Sequence, residues 1–123
     1  MEEVINIEYT ESILTSIKQM LGPSAEQTHF DPDIIMHINS AMLDLTQIGI
    51  GPWKGFTIDS DEAVWSDFIS DRKDYEAVKT YVYLNVKLVF DPPASSTIVE
   101  AYQRQADKIL WRLQRAAELG GSK

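Results

Sequence analysis

Apolar residues recur along most of the chain at the three- and four-residue spacing of amphipathic helices. Polar stretches, glycines and prolines separate these runs and mark where each helix is expected to end. The predicted helices span residues 10–21, 31–48, 61–69, 74–90 and 97–119. Thr10 and Asp31 are the expected N-caps of the first two helices. Thr97 is the expected cap of the last, where Glu100 completes a capping box.

Residues 74–90 fit two kinds of secondary structure. The end of this segment, TYVYLNVKLVF, alternates as a strand would, but the whole segment also carries two apolar stripes at helical spacing. About 17 residues exceed the usual length of a strand, and the sequence holds no second long strand to pair with it. We therefore predict a central helix that packs on both sides and ends at Asp91-Pro92-Pro93.

Residues 49–59, GIGPWKGFTID, contain three glycines and a proline among short strand-like pieces. This composition predicts a loop or small β-hairpin extension around residues 50–59. Trp53 and Phe56 lie within it, and either they anchor a partner or they fold back onto the core. The expected fold is thus an all-α, compact bundle of four main helices and one short helix with this extension. It forms a single domain over residues 1–123, with flexible tails at 1–9 and 120–123.

Composition narrows the possible functions. The 123 residues contain no cysteine, which excludes disulfides, thiolate metal sites and cysteine nucleophiles. No apolar run is long enough to cross a bilayer, and the acidic start does not resemble a signal peptide, so we expect a cytosolic origin. A net charge of −8 argues against a nonspecific nucleic-acid binder. Residues 1–74 carry 14 acidic and 4 basic side chains, whereas residues 75–123 carry 5 and 7, which suits attraction between copies.

Candidate catalytic chemistry is sparse. Asp33 and His37 lie four residues apart on the second predicted helix, a spacing that can hold a metal, but a third ligand and a supporting shell are lacking. The carboxylates of Asp59, Asp61 and Glu62 have no neighbours that would separate their pKa values for acid–base work. No nucleophile elbow or phosphate loop is present. We expect no enzyme activity, no metal and no cofactor.

The last predicted helix carries a basic stripe beside its buried one. The basic positions are Arg104, Lys108, Arg112 and Arg115. The expected buried positions are Ile98, Tyr102, Ala106, Ile109, Leu113 and Ala117. Such a stripe is commonly a solvated face. In a chain of this net charge it is also a candidate docking surface, so both interpretations stay open.

Four sequence features together resemble the head–tail connector (adaptor, or head-completion) proteins of tailed bacteriophages and prophages. The first is Ile38-Asn39 within the second predicted helix, and the second is Leu45-Thr46-Gln47-Ile48-Gly49 at its end, followed by Gly51-Pro52. The third is WSDFI at residues 65–69, and the fourth is VKTYVYLNVKLVFDPPASS at residues 78–96. Their order and spacing agree with that family over about residues 10–118. The resemblance implies an all-α fold with a loop or hairpin extension, and it supports the helix predicted at residues 74–90.

The resemblance also implies a function. It points to a structural virion protein that forms a ring, typically dodecameric, beneath the portal protein at the head–tail junction. Such a ring extends the DNA channel, touches the translocating DNA only passively and gives the tail or stopper protein a platform; assembly occurs in the host cytoplasm. It implies no catalysis, no cofactor and no membrane. The alternative from the residues alone is a small cytosolic adaptor or regulator with no viral role.

Overall fold

The computed structural model describes residues 10–69 and 72–121, and within these ranges every regular element is helical. The helices are α1 (Ile13–Leu21), α2 (Asp31–Gln47), α3 (Trp65–Phe68), α4 (Tyr75–Phe90) and α5 (Ser96–Gly121). Short 3-10 turns occupy Pro23–Ala25, Thr28–Phe30 and Arg72–Asp74. The prediction of an all-α fold is confirmed. The predicted tail at residues 1–9 lies outside the described residues, as do residues 122 and 123.

Helix α4 is the centre of the molecule, and the prediction of a helix over residues 74–90 is confirmed. On one side the Tyr81 hydroxyl donates a 2.9 Å hydrogen bond to Oδ2 of Asp44 in α2. Tyr83 points to the other side, because two residues turn a helix by about 200°, and it meets Tyr102 of α5. Helix α4 thus lies between α2 and α5, and α1 also packs against it. This burial on both sides explains its two apolar stripes.

The core joins all five helices. Trp65 and Phe68 of α3 are fully buried, together with Ile13 and Ile17 of α1. The Trp65 indole Nε1–H donates to the buried Ser16 hydroxyl at 2.8 Å. Fully or nearly fully buried aliphatic residues of the other helices are Ile34, Ile38, Met42 and Leu45, then Val78, Val82 and Val86, and finally Leu113. The short α3 is therefore held by its two aromatic side chains rather than by its own length.

Helix boundaries differ from the predicted ones where a neighbouring residue supplies the cap. Helix α1 begins at Ile13 and not at Thr10, because the Ser12 hydroxyl accepts the Thr15 N–H at 3.1 Å. The bridge between Ser12 and Val64 keeps the preceding backbone extended. That bridge also holds Val64 out of the helix predicted over residues 61–69, so α3 is only Trp65–Phe68.

Helix α5 is longer than predicted at both ends. It begins at Ser96, and Ser95 is its N-cap, because the Ser95 hydroxyl accepts a hydrogen bond from the Ile98 N–H at 3.4 Å. The predicted capping box of Thr97 and Glu100 is therefore wrong, because both residues are already inside the helix. Ile98, predicted to be buried, has 45% of its surface exposed. The helix extends to Gly121, two residues past its predicted end.

Candidate functional site

The loop at residues 50–58 contains no β-strand and is held against α2 at both ends. Ile50 and Ile58 are buried. The Asn39 side chain clamps the Ile58 backbone, donating from Nδ2 to the carbonyl oxygen at 3.0 Å and accepting the N–H on Oδ1 at 2.8 Å. This side chain supplies the pairing that a second strand would otherwise give. The segment is consequently an irregular loop that stays close to the body, and the hairpin alternative is not found.

The tip of this loop is a turn in which the Gly55 N–H donates to the Pro52 carbonyl at 2.9 Å. Trp53 lies on the turn with 88% of its surface exposed, and the Lys54 ammonium is 5.8 Å from the centre of its ring. Phe56 is half-buried, with its ring centre 5.3 Å from that of Phe68. Of the two interpretations left open by the sequence, folding back onto the core describes Phe56, whereas Trp53 projects into solvent and stays a candidate anchor for a partner.

The outer face of α5 carries the basic stripe. Arg104, Lys108, Arg112 and Arg115 are all exposed, on the side of the helix away from Ala106 and Leu113. Trp111 lies among them with 60% of its surface exposed, and the Arg115 guanidinium is 5.5 Å from the centre of its ring. A large exposed aromatic side chain beside several arginines is typical of interface anchors. We call the five residues Arg104, Lys108, Trp111, Arg112 and Arg115 the α5 face.

A groove of about 610 Å³ separates α2 from the loop. Its α2 wall includes Met36 and Leu43, which are 58% and 56% exposed, with Ser40 between them. Its other wall is the loop from Lys54 to Thr57, including the Phe56 ring. Asn39 also lines the groove, and its two hydrogen bonds to Ile58 tie the loop to α2. We call this the α2–loop groove.

Ionisable groups in the described region act mainly as structural ties. Burial and the hydrogen bond to Asp44 raise the pKa of Tyr81 well above its ordinary value. The Ser24 hydroxyl and the Lys87 ammonium both bond Asp91 and lower the pKa of its carboxyl group. These contacts fix α4 to α2 and to the turn after α1. No group of three His, Asp or Glu side chains capable of holding a metal occurs among the described residues.

Several of these surface features were missed by the sequence-based prediction. The Asn39 clamp joins positions 19 residues apart, and no local pattern signals such a contact. The exposure of Trp111 could have been predicted, since helical spacing places it opposite the buried residues Ala106 and Leu113. The exposure of Met36 and Leu43 could have been predicted in the same way, because they are apolar residues on the polar side of α2.

Comparison with known proteins gives one family. Residues 13–120 match the model of a family described as phage connector protein. No curated protein and no solved structure matches the chain. None of the described helices is both long and apolar enough to cross a membrane. The match begins where α1 begins and ends one residue before α5 ends, so it covers the whole helical body. The chain therefore belongs to the phage connector protein family.

Proposed function

We propose that this protein is a head–tail connector that assembles as a ring beneath the portal protein of a tailed phage. The ring extends the DNA channel and provides the attachment platform for the tail or stopper protein, and it contacts translocating DNA only passively. The observation that carries the proposal is the family match over residues 13–120, which spans every helix of the described fold. The protein's place is the head–tail junction of the virion, reached from the host cytoplasm. Its role is structural and uses no cofactor.

The distribution of charge supports assembly of copies in a ring. The acidic excess lies in residues 1–74, and the basic side chains of α5 lie beyond it. A ring is built from heterologous contacts, in which two different surfaces of the subunit meet. Complementary charge on two such surfaces favours their encounter and disfavours contact between like surfaces. The basic stripe Arg104, Lys108, Arg112 and Arg115 is proposed to dock on the portal or on an adjacent subunit.

The loop tip supports a contact with the next protein of the assembly. Trp53 is exposed on a turn whose two ends are fixed by buried isoleucines and by Asn39. An aromatic side chain on a fixed support loses little conformational freedom when it binds. Phe56 contributes by packing on Phe68 and shaping the loop. We propose that Trp53 anchors a neighbouring subunit or the stopper protein.

Removal and restoration of the protein test this function. In the phage or prophage that encodes the chain, deletion of its gene should yield DNA-filled heads without tails, and purified protein should restore tail attachment in an extract. Trp53→Ser should fold normally but restore attachment at least about tenfold less well, as for an interface anchor. Val89→Ser, which also truncates an exposed apolar side chain, serves as the control. Normal tailed particles after deletion would refute the proposed function.

A further inference from the structure

We propose that the α5 face of one copy docks in the α2–loop groove of the next copy, with Trp111 as the anchor. This inference rests on the proposed ring and names the two surfaces that build it. It is a heterologous contact, so each copy binds one neighbour through its α5 face and the other neighbour through its α2–loop groove. Repetition of the contact closes a ring when the rotation between neighbours allows it.

The position of α4 places the two surfaces on different sides of the molecule. Helix α4 uses one side to meet α2, through Tyr81 and Asp44, and the opposite side to meet α5, through Tyr83 and Tyr102. Met36 and Leu43 lie opposite the buried residues of α2, and the α5 face lies opposite Ala106 and Leu113, so both surfaces are turned outward from the core. A subunit with both surfaces free can bind one neighbour on each side, as a ring requires.

The shapes and polarities of the surfaces match. The groove exposes the apolar side chains of Met36 and Leu43 to water. Neighbouring exposed apolar side chains of this kind are typical of interaction sites. Trp111 is the largest exposed apolar group of α5. Its flat ring, with the Arg115 guanidinium 5.5 Å from the ring centre, combines an apolar body with a neighbouring positive charge. Insertion of Trp111 between the walls would remove apolar surface of both copies from water.

The charges around the two surfaces are complementary. Helix α2 contains no lysine or arginine. Of its three aspartates, Asp31 pairs with Lys18 and Asp44 accepts from Tyr81, so Asp33, exposed one turn before Met36, is the one that adds free negative charge beside the groove. The loop leads from the clamped Ile58 directly into Asp59, Asp61 and Glu62, which are all exposed. The α5 face carries four basic side chains; the exposed Asp107 and Glu118 lie one and two turns from Trp111 on the same helix, so this side of α5 stays net positive. Lys54 on the loop wall is the one basic group of the groove, and it lies over the Trp53 ring.

Chemical crosslinking between two marked chains tests the contact. Because the natural chain has no cysteine, an introduced thiol reports on its own site alone. Ser40→Cys marks the groove and Gln114→Cys marks the edge of the α5 face, and both positions are exposed. The two variants are mixed at the highest soluble concentration with a short bismaleimide reagent. Gln19→Cys, exposed on α1, replaces Gln114→Cys in the control mixture. Circular dichroism verifies that each variant is folded.

The contact predicts a crosslinked dimer of the Ser40→Cys and Gln114→Cys chains, with a yield well above that of the Gln19→Cys control. Trp111→Ala in the Gln114→Cys chain should lower the yield at least about tenfold, while Val89→Ala leaves it unchanged. Added salt should also lower it. A yield equal to the control, or one that Trp111→Ala does not change, overturns the inference. If Trp111→Ala leaves the crosslink unchanged but weakens binding of the protein to double-stranded DNA, the α5 face binds nucleic acid and the inference is equally overturned.

Head completion separates this inference from the proposed function. If Trp111→Ala still restores tails at the normal rate and no specific crosslink forms, the inference is wrong while the connector function stands. If the crosslink forms but deletion of the gene leaves tailed particles intact, the contact exists and the connector function is wrong.

Discussion

Substitution of Asn39 by alanine should free the loop that carries Trp53 without unfolding the helices. The side chain makes two hydrogen bonds to the Ile58 backbone, at 2.8 and 3.0 Å, in a half-buried setting. Each such bond contributes about 0.5–1.5 kcal/mol to stability. Their loss together should therefore lower the free energy of loop opening by about 1–3 kcal/mol.

Trypsin cleavage after Lys54 reports loop opening directly. Lys54 lies at the exposed turn, but a protease needs an extended segment, so cleavage proceeds through the opened loop. When opening is fast relative to cleavage, the cleavage rate follows the opened population. A loss of about 1–3 kcal/mol should therefore accelerate cleavage about 5- to 150-fold. Global stability, measured by urea unfolding, should fall by no more than the same 1–3 kcal/mol.

Asn85→Ala provides a matched control for Asn39→Ala. Asn85 is also half-buried, but its amide donates to the Tyr81 carbonyl within α4, which is already part of the helix ladder. Removing it should leave cleavage after Lys54 at the wild-type rate, and the better helix propensity of alanine offsets part of the lost bond. Equal cleavage rates in Asn39→Ala and Asn85→Ala would refute the role of Asn39 as the clamp of the loop.

Three further predictions concern the glycines of the loop, a buried hydrogen bond and an ionic contact of the fold. Gly51→Ala should lower the free energy of unfolding by at least about 2 kcal/mol, because φ is +86° there and a Cβ would lie 2.6 Å from the Phe68 ring of α3. Gly55→Ala has a similar φ of +95° but open space around it, so it should cost clearly less in the same urea titration. Ser16→Ala should cost about 1–3 kcal/mol in thermal unfolding, since it leaves the buried Trp65 indole N–H without its acceptor. Because the pKa of Asp91 is lowered in the fold, the stability it adds is present above its ordinary pKa of 3.8 and is lost as the pH falls through the lowered value. The difference in melting temperature between wild type and Asp91→Asn should accordingly be constant near neutral pH and shrink in acid.

The helices were predictable because their causes are local. The two apolar stripes of α4 encode its burial on both sides, and the length of the segment decides against a strand. Boundaries were predicted less well where two capping residues compete. Ser12 caps α1 in place of Thr10, and the selection is made by the bridge between Ser12 and Val64, more than fifty positions apart.

The surfaces proposed for interaction were predictable only in part. The basic stripe follows directly from helical spacing, and so does the position of Trp111 along its edge. The groove does not follow from spacing, because its second wall is a loop placed by Asn39 and by the contact of Phe56 with Phe68. Long-range contacts of this kind decide whether an aromatic residue of a loop is buried or exposed. That is why Trp53 and Phe56, three residues apart, have different surroundings.

The central claim, that the chain docks at the head–tail junction, is tested most directly by counting the copies that bind a tail-less head. Purified protein is added to DNA-filled heads that lack it, unbound protein is removed by sedimentation, and bound copies per head are quantified by mass spectrometry. We predict saturable retention of a single ring of copies per head, with electron microscopy locating them beneath the portal. No retention, or binding spread over the capsid surface without saturation at one ring, would contradict it.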